Sequence, residues 1–164
     1  MPWARTKLQL HEDYLRPRTL VTINYTGKTP EKFYDLIPEL MVRIFRLSQH
    51  SIQEKKFAWH RGETDKFEAA WEANKDLDRF SSHWVEVTIK GTTGKGEGTA
   101  RITIEGALRT EYPQDTFWQK SLVYEILRMV YHRILYASVR ERYFAEGRRL
   151  VSILVDELKK AARD

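Results

Sequence analysis

The sequence predicts an α+β fold, a curved antiparallel β-sheet packed around a long C-terminal helix, with one kinked or two short helices after the first strand. Two segments carry the prediction. Residues 98–112 keep Ala100, Ile102, Ile104, Leu108 and Tyr112 in one alternating phase, the pattern of a long half-buried strand. Residues 115–162 place apolar side chains at spacings of three and four, the pattern of an amphipathic helix. Each segment has an apolar face that the other can cover.

The remaining elements follow in order. Residues 5–12 allow a short strand before Pro17, where the missing amide ends any ladder. In Thr19–Tyr25, Val21, Ile23 and Tyr25 alternate with Thr22 and Asn24, predicting a strand. Thr29-Pro30 starts a helix, since Thr caps free amides and Pro at the first helical position has no bond to lose. Phe33, Leu36, Ile37, Leu40, Met41 and Ile44 form its apolar face. Pro38 lies inside that pattern, and two short helices end to end are expected over a single kinked one. Gln53–Arg61 reads as a strand closed by Gly62. The composition of residues 65–75 favours helix, but their place between extended segments favours a strand that completes a meander, and strand is expected. Trp84–Lys90 puts Val85, Val87 and Ile89 on one face, and Gly91–Gly98 then forms a glycine-rich hairpin loop. Asp115 or Thr116 caps the last helix. At 1.5 Å per residue the helix would span about 72 Å, so it must project, break near Gly147 or pair with another chain.

Composition narrows the function classes. The chain has 164 residues, 41% of them hydrophobic, with 5 Trp, 8 Tyr and 7 Phe, enough to build one domain with a sizeable core. A single domain over 1–164 is expected, with 1–17 as an N-terminal arm and 148–164 as a helical extension. The absence of cysteine excludes disulfides, thiolate metal sites and cysteine nucleophiles. No apolar run reaches the roughly 18 residues of a spanning helix, and the N-terminus lacks the apolar region of a secretory signal, so a cytoplasmic protein is expected. Net charge is +5, divided as +3, −1 and +3 over residues 1–50, 51–114 and 115–164. Basic charge is therefore mixed with acidic charge throughout, where a nucleic-acid module would concentrate it in one patch.

The motifs that suggest chemistry mostly have structural readings. The loop GTTGKGEG follows Lys95 with Gly96 and leads into a strand, so it lacks both the Ser or Thr and the helix N-terminus of a phosphate loop. None of His11, His50, His60, His83 and His132 is paired at metal-ligating helical spacing. His60, Glu63 and His83 would meet only in a favourable strand register. No metal, no cofactor and no catalytic residue is expected, and an enzyme is the minority reading.

The most informative feature is on the last helix. Leu122, Ile126, Met129, Arg133, Tyr136, Arg140, Phe144, Gly147, Val151, Leu154 and Leu158 fall on one stripe, apolar at both ends and cationic in the middle. A buried unpaired arginine is very costly. Arg133 and Arg140 must face water, pair with carboxylates such as Glu68, Glu72 or Glu105, or hold an anion in a cavity. The aromatic strand residues Trp59 and Trp71 could line such a cavity. Trp84, on the polar side of its strand, could instead stack a nucleic-acid base.

This order, a strand, a helical segment across a proline, an antiparallel meander and a long C-terminal helix, resembles the helix-grip, or START-like, fold of lipid- and small-molecule-binding proteins. The resemblance implies a binding cavity between sheet and C-terminal helix. The expected function is non-catalytic binding of a hydrophobic or amphiphilic anionic small molecule through Trp59, Trp71, Arg133, Tyr136 and Arg140. The alternative is a nucleic-acid-binding or protein-interaction module. A homodimer through the C-terminal helix is also expected, because Leu150, Val151, Ile153, Leu154, Val155 and Leu158 would otherwise be uncovered on a projecting extension.

Overall fold

The computed structural model describes residues 8–94, 96–112 and 122–163. Their order is β1 (Leu8–Asp13), β2 (Leu20–Gly27), α1 (Lys32–Phe45), β3 (Ile52–His60), β4 (Asp65–Asp76), β5 (Ser81–Thr93), β6 (Gly98–Tyr112), α2 (Leu122–Val130), a π-helical turn (Tyr131–Leu135) and α3 (Ala137–Ala161). The fold is α+β, with one open antiparallel sheet of six strands. β3, β4, β5 and β6 form a meander, and β6 pairs on its other side with both β1 and β2. β2 runs beside residues 98–105 of β6 and β1 beside 107–112, so the two strands share one edge that is interrupted opposite Gly106. There the Tyr14 amide donates to the Gly106 carbonyl at 2.9 Å.

Strand register explains the two faces. Ala69, Trp71 and Ala73 of β4 lie opposite Ile89, Val87 and Val85 of β5. Ile89 and Val87 in turn lie opposite Ile102 and Ile104 of β6. All of these side chains are buried, on the face that α1 and α3 cover. The other face carries ion pairs: Lys55 reaches Glu72 and Glu86, and Glu68 accepts from Lys56 and Lys90. β4 is a strand despite its alanines. It exchanges hydrogen bonds with neighbours on both sides, and propensity differences of a few tenths of a kcal/mol per residue yield to such ladders.

Three expectations are corrected. The segment after β2 is one helix, α1, continuous through Pro38. Phe33, Ile37, Leu40, Met41 and Phe45 are buried along its length. At about 1.5–3 kcal/mol per large apolar side chain, that burial outweighs the single bond the proline removes. The helix starts with a tight turn, in which the amides of Lys32, Phe33 and Tyr34 donate to the carbonyls of Thr29, Pro30 and Glu31.

The C-terminal helix breaks at Tyr131–Tyr136, not near Gly147, which lies within α3. Gly147 is instead the point of closest approach, since a Cβ there would sit 2.2 Å from the Tyr14 ring.

The burial of the last helix is also reversed from expectation. The described part of 148–164, residues 148–163, is not a projecting extension: Leu150, Val151, Leu154, Val155 and Leu158 are buried between β6 and α1. They need no second copy to cover them. The segment with no buried residue is the preceding one, α2 and the turn after it.

Candidate functional site

The described residues with the densest polar chemistry lie where β1, β5 and β6 end beneath α2 and the start of α3. Two linked hydrogen-bond systems occupy this end. In the first, Asp78 Oδ1 accepts from the amides of Phe80 and Ser81 at 2.8 Å each, a turn that starts β5. The Tyr136 hydroxyl donates to Asp78 Oδ2 at 2.5 Å and lies 2.9 Å from Ser81 Oγ. Burial alone would raise the Asp78 carboxyl, but the bonds from Tyr136 and the two amides outweigh it and hold the group below the usual range. Tyr136 shifts up, chiefly through burial and then through its anionic partner.

The second system is centred on Arg140. Its guanidinium pairs with Glu12 of β1 and lies 2.7 Å from His132 Nε2, and His132 Nδ1 meets the Tyr112 hydroxyl. Arginine has no acceptor. His132 Nε2 must therefore accept, which puts the ring hydrogen on Nδ1 and aims it at Tyr112. Burial first, and the Arg140 charge second, lower the His132 pKa. A protonated ring would set two donors against each other. Since the folded form holds the neutral ring, the tether on the turn that follows α2 is intact at neutral pH and weakens as acid protonates it. Protection of the amides over 122–135, relative to their intrinsic exchange rates, is therefore expected to fall as the pH drops below the ordinary histidine range, and a His132→Gln variant should flatten that dependence. Equal loss of protection in both proteins would remove His132 from the tether; the other charges beside it are Glu12 and Arg128.

Above these systems lies a cleft of about 420 Å³ lined by Phe80, Tyr112, Tyr124, Leu127, Arg128 and Tyr131. Its walls are aromatic: Phe80 and Tyr112 sit 5.4 Å apart and Tyr131 stacks on Tyr136 at 5.8 Å. Arg128 brings its guanidinium within 6.0 Å of the Tyr112 ring centre. The cleft lies within the size range of small-molecule sites.

The five residues expected to bind ligand are divided among four places. Tyr136 and Arg140 come together as the supports just described. Arg133 is exposed on the π-helical turn. Trp71 is buried against Tyr34 of α1. Trp59 sits at the edge strand, stacked on Phe67 and donating to Asp65 at 3.1 Å. Of the three fates open to the arginines, Arg133 faces water and Arg140 pairs with a carboxylate, from β1 instead of the meander. Trp84 is no open platform for a base, because Arg109 covers it at 4.2 Å and His11 meets it edge-on. His60 and His83 do not meet: their β4 neighbours Lys66 and Lys75 are nine residues apart, about 30 Å of strand. No metal-ligating cluster occurs among the described residues, and none of their helices is long and apolar enough to cross a membrane.

Sequence reasoning missed Phe80, Tyr112, Tyr124, Leu127, Arg128 and Tyr131 as a group. One signal was available: Tyr124, Arg128 and Tyr131 recur at spacings of four and three, which puts them on one helical face opposite the apolar one. No protein-family model matches the chain, and no curated protein matches its sequence significantly.

Proposed function

We propose that the chain is a binding protein whose ligand is an amphiphilic anion held in the aromatic cleft beneath α2. The observation that carries this reading is the composition of the cleft, four aromatic rings and a leucine around one arginine. Rings supply desolvated contact area at little loss of side-chain freedom. A guanidinium set among them favours a carboxylate or phosphate head group through charge-assisted bonds. The resemblance to helix-grip proteins supports the same reading, since their ligands lie between the sheet and the C-terminal helical segment. Tyr136, Arg140 and His132 act as supports in this scheme, because they hold α2 and the β5 turn at the distance that leaves the cleft open.

Laurate is a suitable probe, with an apolar tail and one carboxylate. Native mass spectrometry and tyrosine fluorescence titration are expected to show one laurate per chain, and Arg128→Gln should weaken it about tenfold, the loss of one charge-assisted bond. Dodecanol, lacking the charge, should bind wild type and variant alike. Absence of laurate binding, or equal laurate affinity in wild type and variant, would overturn the proposal.

A further inference from the structure

α2 is amphipathic, but it is mounted inside out. The polar and aromatic side of α2 and of the turn after it faces the body of the protein, where His132 of the turn meets Tyr112 and Arg140, and Arg128 of α2 lies against Tyr112. Its apolar side faces outward: Leu122 is 74% exposed, and Val123, Ile126, Met129 and Val130 are exposed beside it. Ile134, 70% exposed, and Leu135 extend the patch across the π-helical turn. The inward bonds hold the helix in this orientation, so the apolar face is presented and fixed there.

We infer that this face is a self-association surface, and that the occupant is a second copy of the chain packed antiparallel about a two-fold axis near Met129. Area supports it. The seven large apolar side chains outside the cleft, Leu122, Val123, Ile126, Met129, Val130, Ile134 and Leu135, leave roughly 800 Å² open, the area each partner gives to a standard interface. So wide an apolar patch is what soluble monomers avoid.

Charge supports it too. Glu125 and Arg133 flank the same side of the patch, eight residues apart, with Met129 midway. In an antiparallel pair, Glu125 of each copy meets Arg133 of the other, so the surface is complementary to itself, as a two-fold interface requires. Arg133 makes no ion pair among the described residues, while Glu125 lies 3.9 Å from Arg128 within its own helix. A lipid surface fits less well. Interfacial helices carry several cations beside their apolar face, whereas here Arg133 is the one exposed cation beside it among the described residues, Glu125 at the rim offsets its charge, and the Arg128 side chain is only 13% exposed.

Light scattering of the full chain at micromolar concentration is expected to give twice the 19.5 kDa protomer mass. Met129→Glu should give a monomer with an unchanged circular dichroism spectrum, because the side chain it replaces is exposed. Glu125→Arg or Arg133→Glu alone should each weaken the dimer about tenfold, and the double exchange should restore it. A monomeric parent, a dimer that survives Met129→Glu, or an exchange that fails to restore association would overturn the inference. So would a monomer that binds phosphatidylcholine–phosphatidylglycerol vesicles through this face. Laurate titration of the Met129→Glu protein separates this result from the cleft, since Met129 does not line it.

Discussion

Replacing Gly147 with valine is expected to lower the stability of the fold by about 3 kcal/mol, as overpacking is added to the poor helix propensity of a β-branched residue. At this position α3 crosses Tyr14. A Cβ on residue 147 would lie 2.2 Å from Tyr14 Cζ and 2.4 Å from its hydroxyl oxygen. Tyr14 has nowhere to move. It is 1% exposed, its ring packs on Phe144, its amide is bonded to Gly106, and its hydroxyl shares a 2.5 Å hydrogen bond with His83 Nδ1. Moving the ring would break that bond and leave two buried polar groups unmet.

Alanine gives the sharper test of cause. In an uncrowded helix interior, Gly→Ala stabilises by about 1 kcal/mol. Here crowding should reverse the sign. Urea unfolding midpoints of wild type, Gly147→Ala and Gly147→Val are expected to fall in that order, and a raised midpoint for the alanine variant would show that the contact is not what selects glycine.

The second large effect is acid sensitivity carried by His83. The side chain is 1% exposed; Nδ1 is bonded to Tyr14, and Nε2 is buried without a partner. Desolvation pushes its pKa down to about 4 from an ordinary 6.5, with Glu146 opposing the shift and Lys75 adding to it. Above pH 6.5 the ring is neutral in folded and unfolded chains, and stability is independent of its titration. Between pH 6.5 and 4 the unfolded chain binds the proton and the folded chain does not, so stability falls as pH falls. Below pH 4 both forms are protonated and the slope vanishes. At about 1.4 kcal/mol per pH unit the loss over this window totals about 3 kcal/mol. His83→Gln keeps an acceptor for the Tyr14 hydroxyl and has no proton to bind. The stability difference between wild type and this variant should therefore shrink by about 3 kcal/mol from pH 7 to pH 4, and parallel pH profiles would rule His83 out as the cause.

Much of this architecture was legible in the residues. β2, β3, β5 and β6 are apparent from two-residue alternation, because a strand sends successive side chains to opposite faces whatever it packs against. The apolar face of α1 was legible for the same kind of reason, at the helical period. Residues 65–75 were harder, because Ala69, Ala70 and Ala73 suit a helix, and only the segments around them argued for a strand. At the site, Tyr136 and Arg140 stood out because they interrupt an apolar stripe. The aromatic lining of the cleft did not, since Phe80 and Tyr112 belong to strands remote in sequence from α2.

The sequence by itself determined the α+β class, the meander and the presence of a long apolar-patterned helical segment at the C-terminus. Tertiary structure alone decided which part of that segment is covered. Leu122, Ile126 and Met129 recur at helical spacings of four and three, as Val151, Leu154 and Leu158 do at three and four, yet the first three are open and the last three buried. Periodicity records that a helix has an apolar face but not what stands opposite it. That depends on Gly147 and Gly106 letting α3 lie close over Tyr14 and β6, and on Arg140 reaching Glu12, 128 residues away in the chain. Such contacts depend on non-local geometry, which no window of sequence contains.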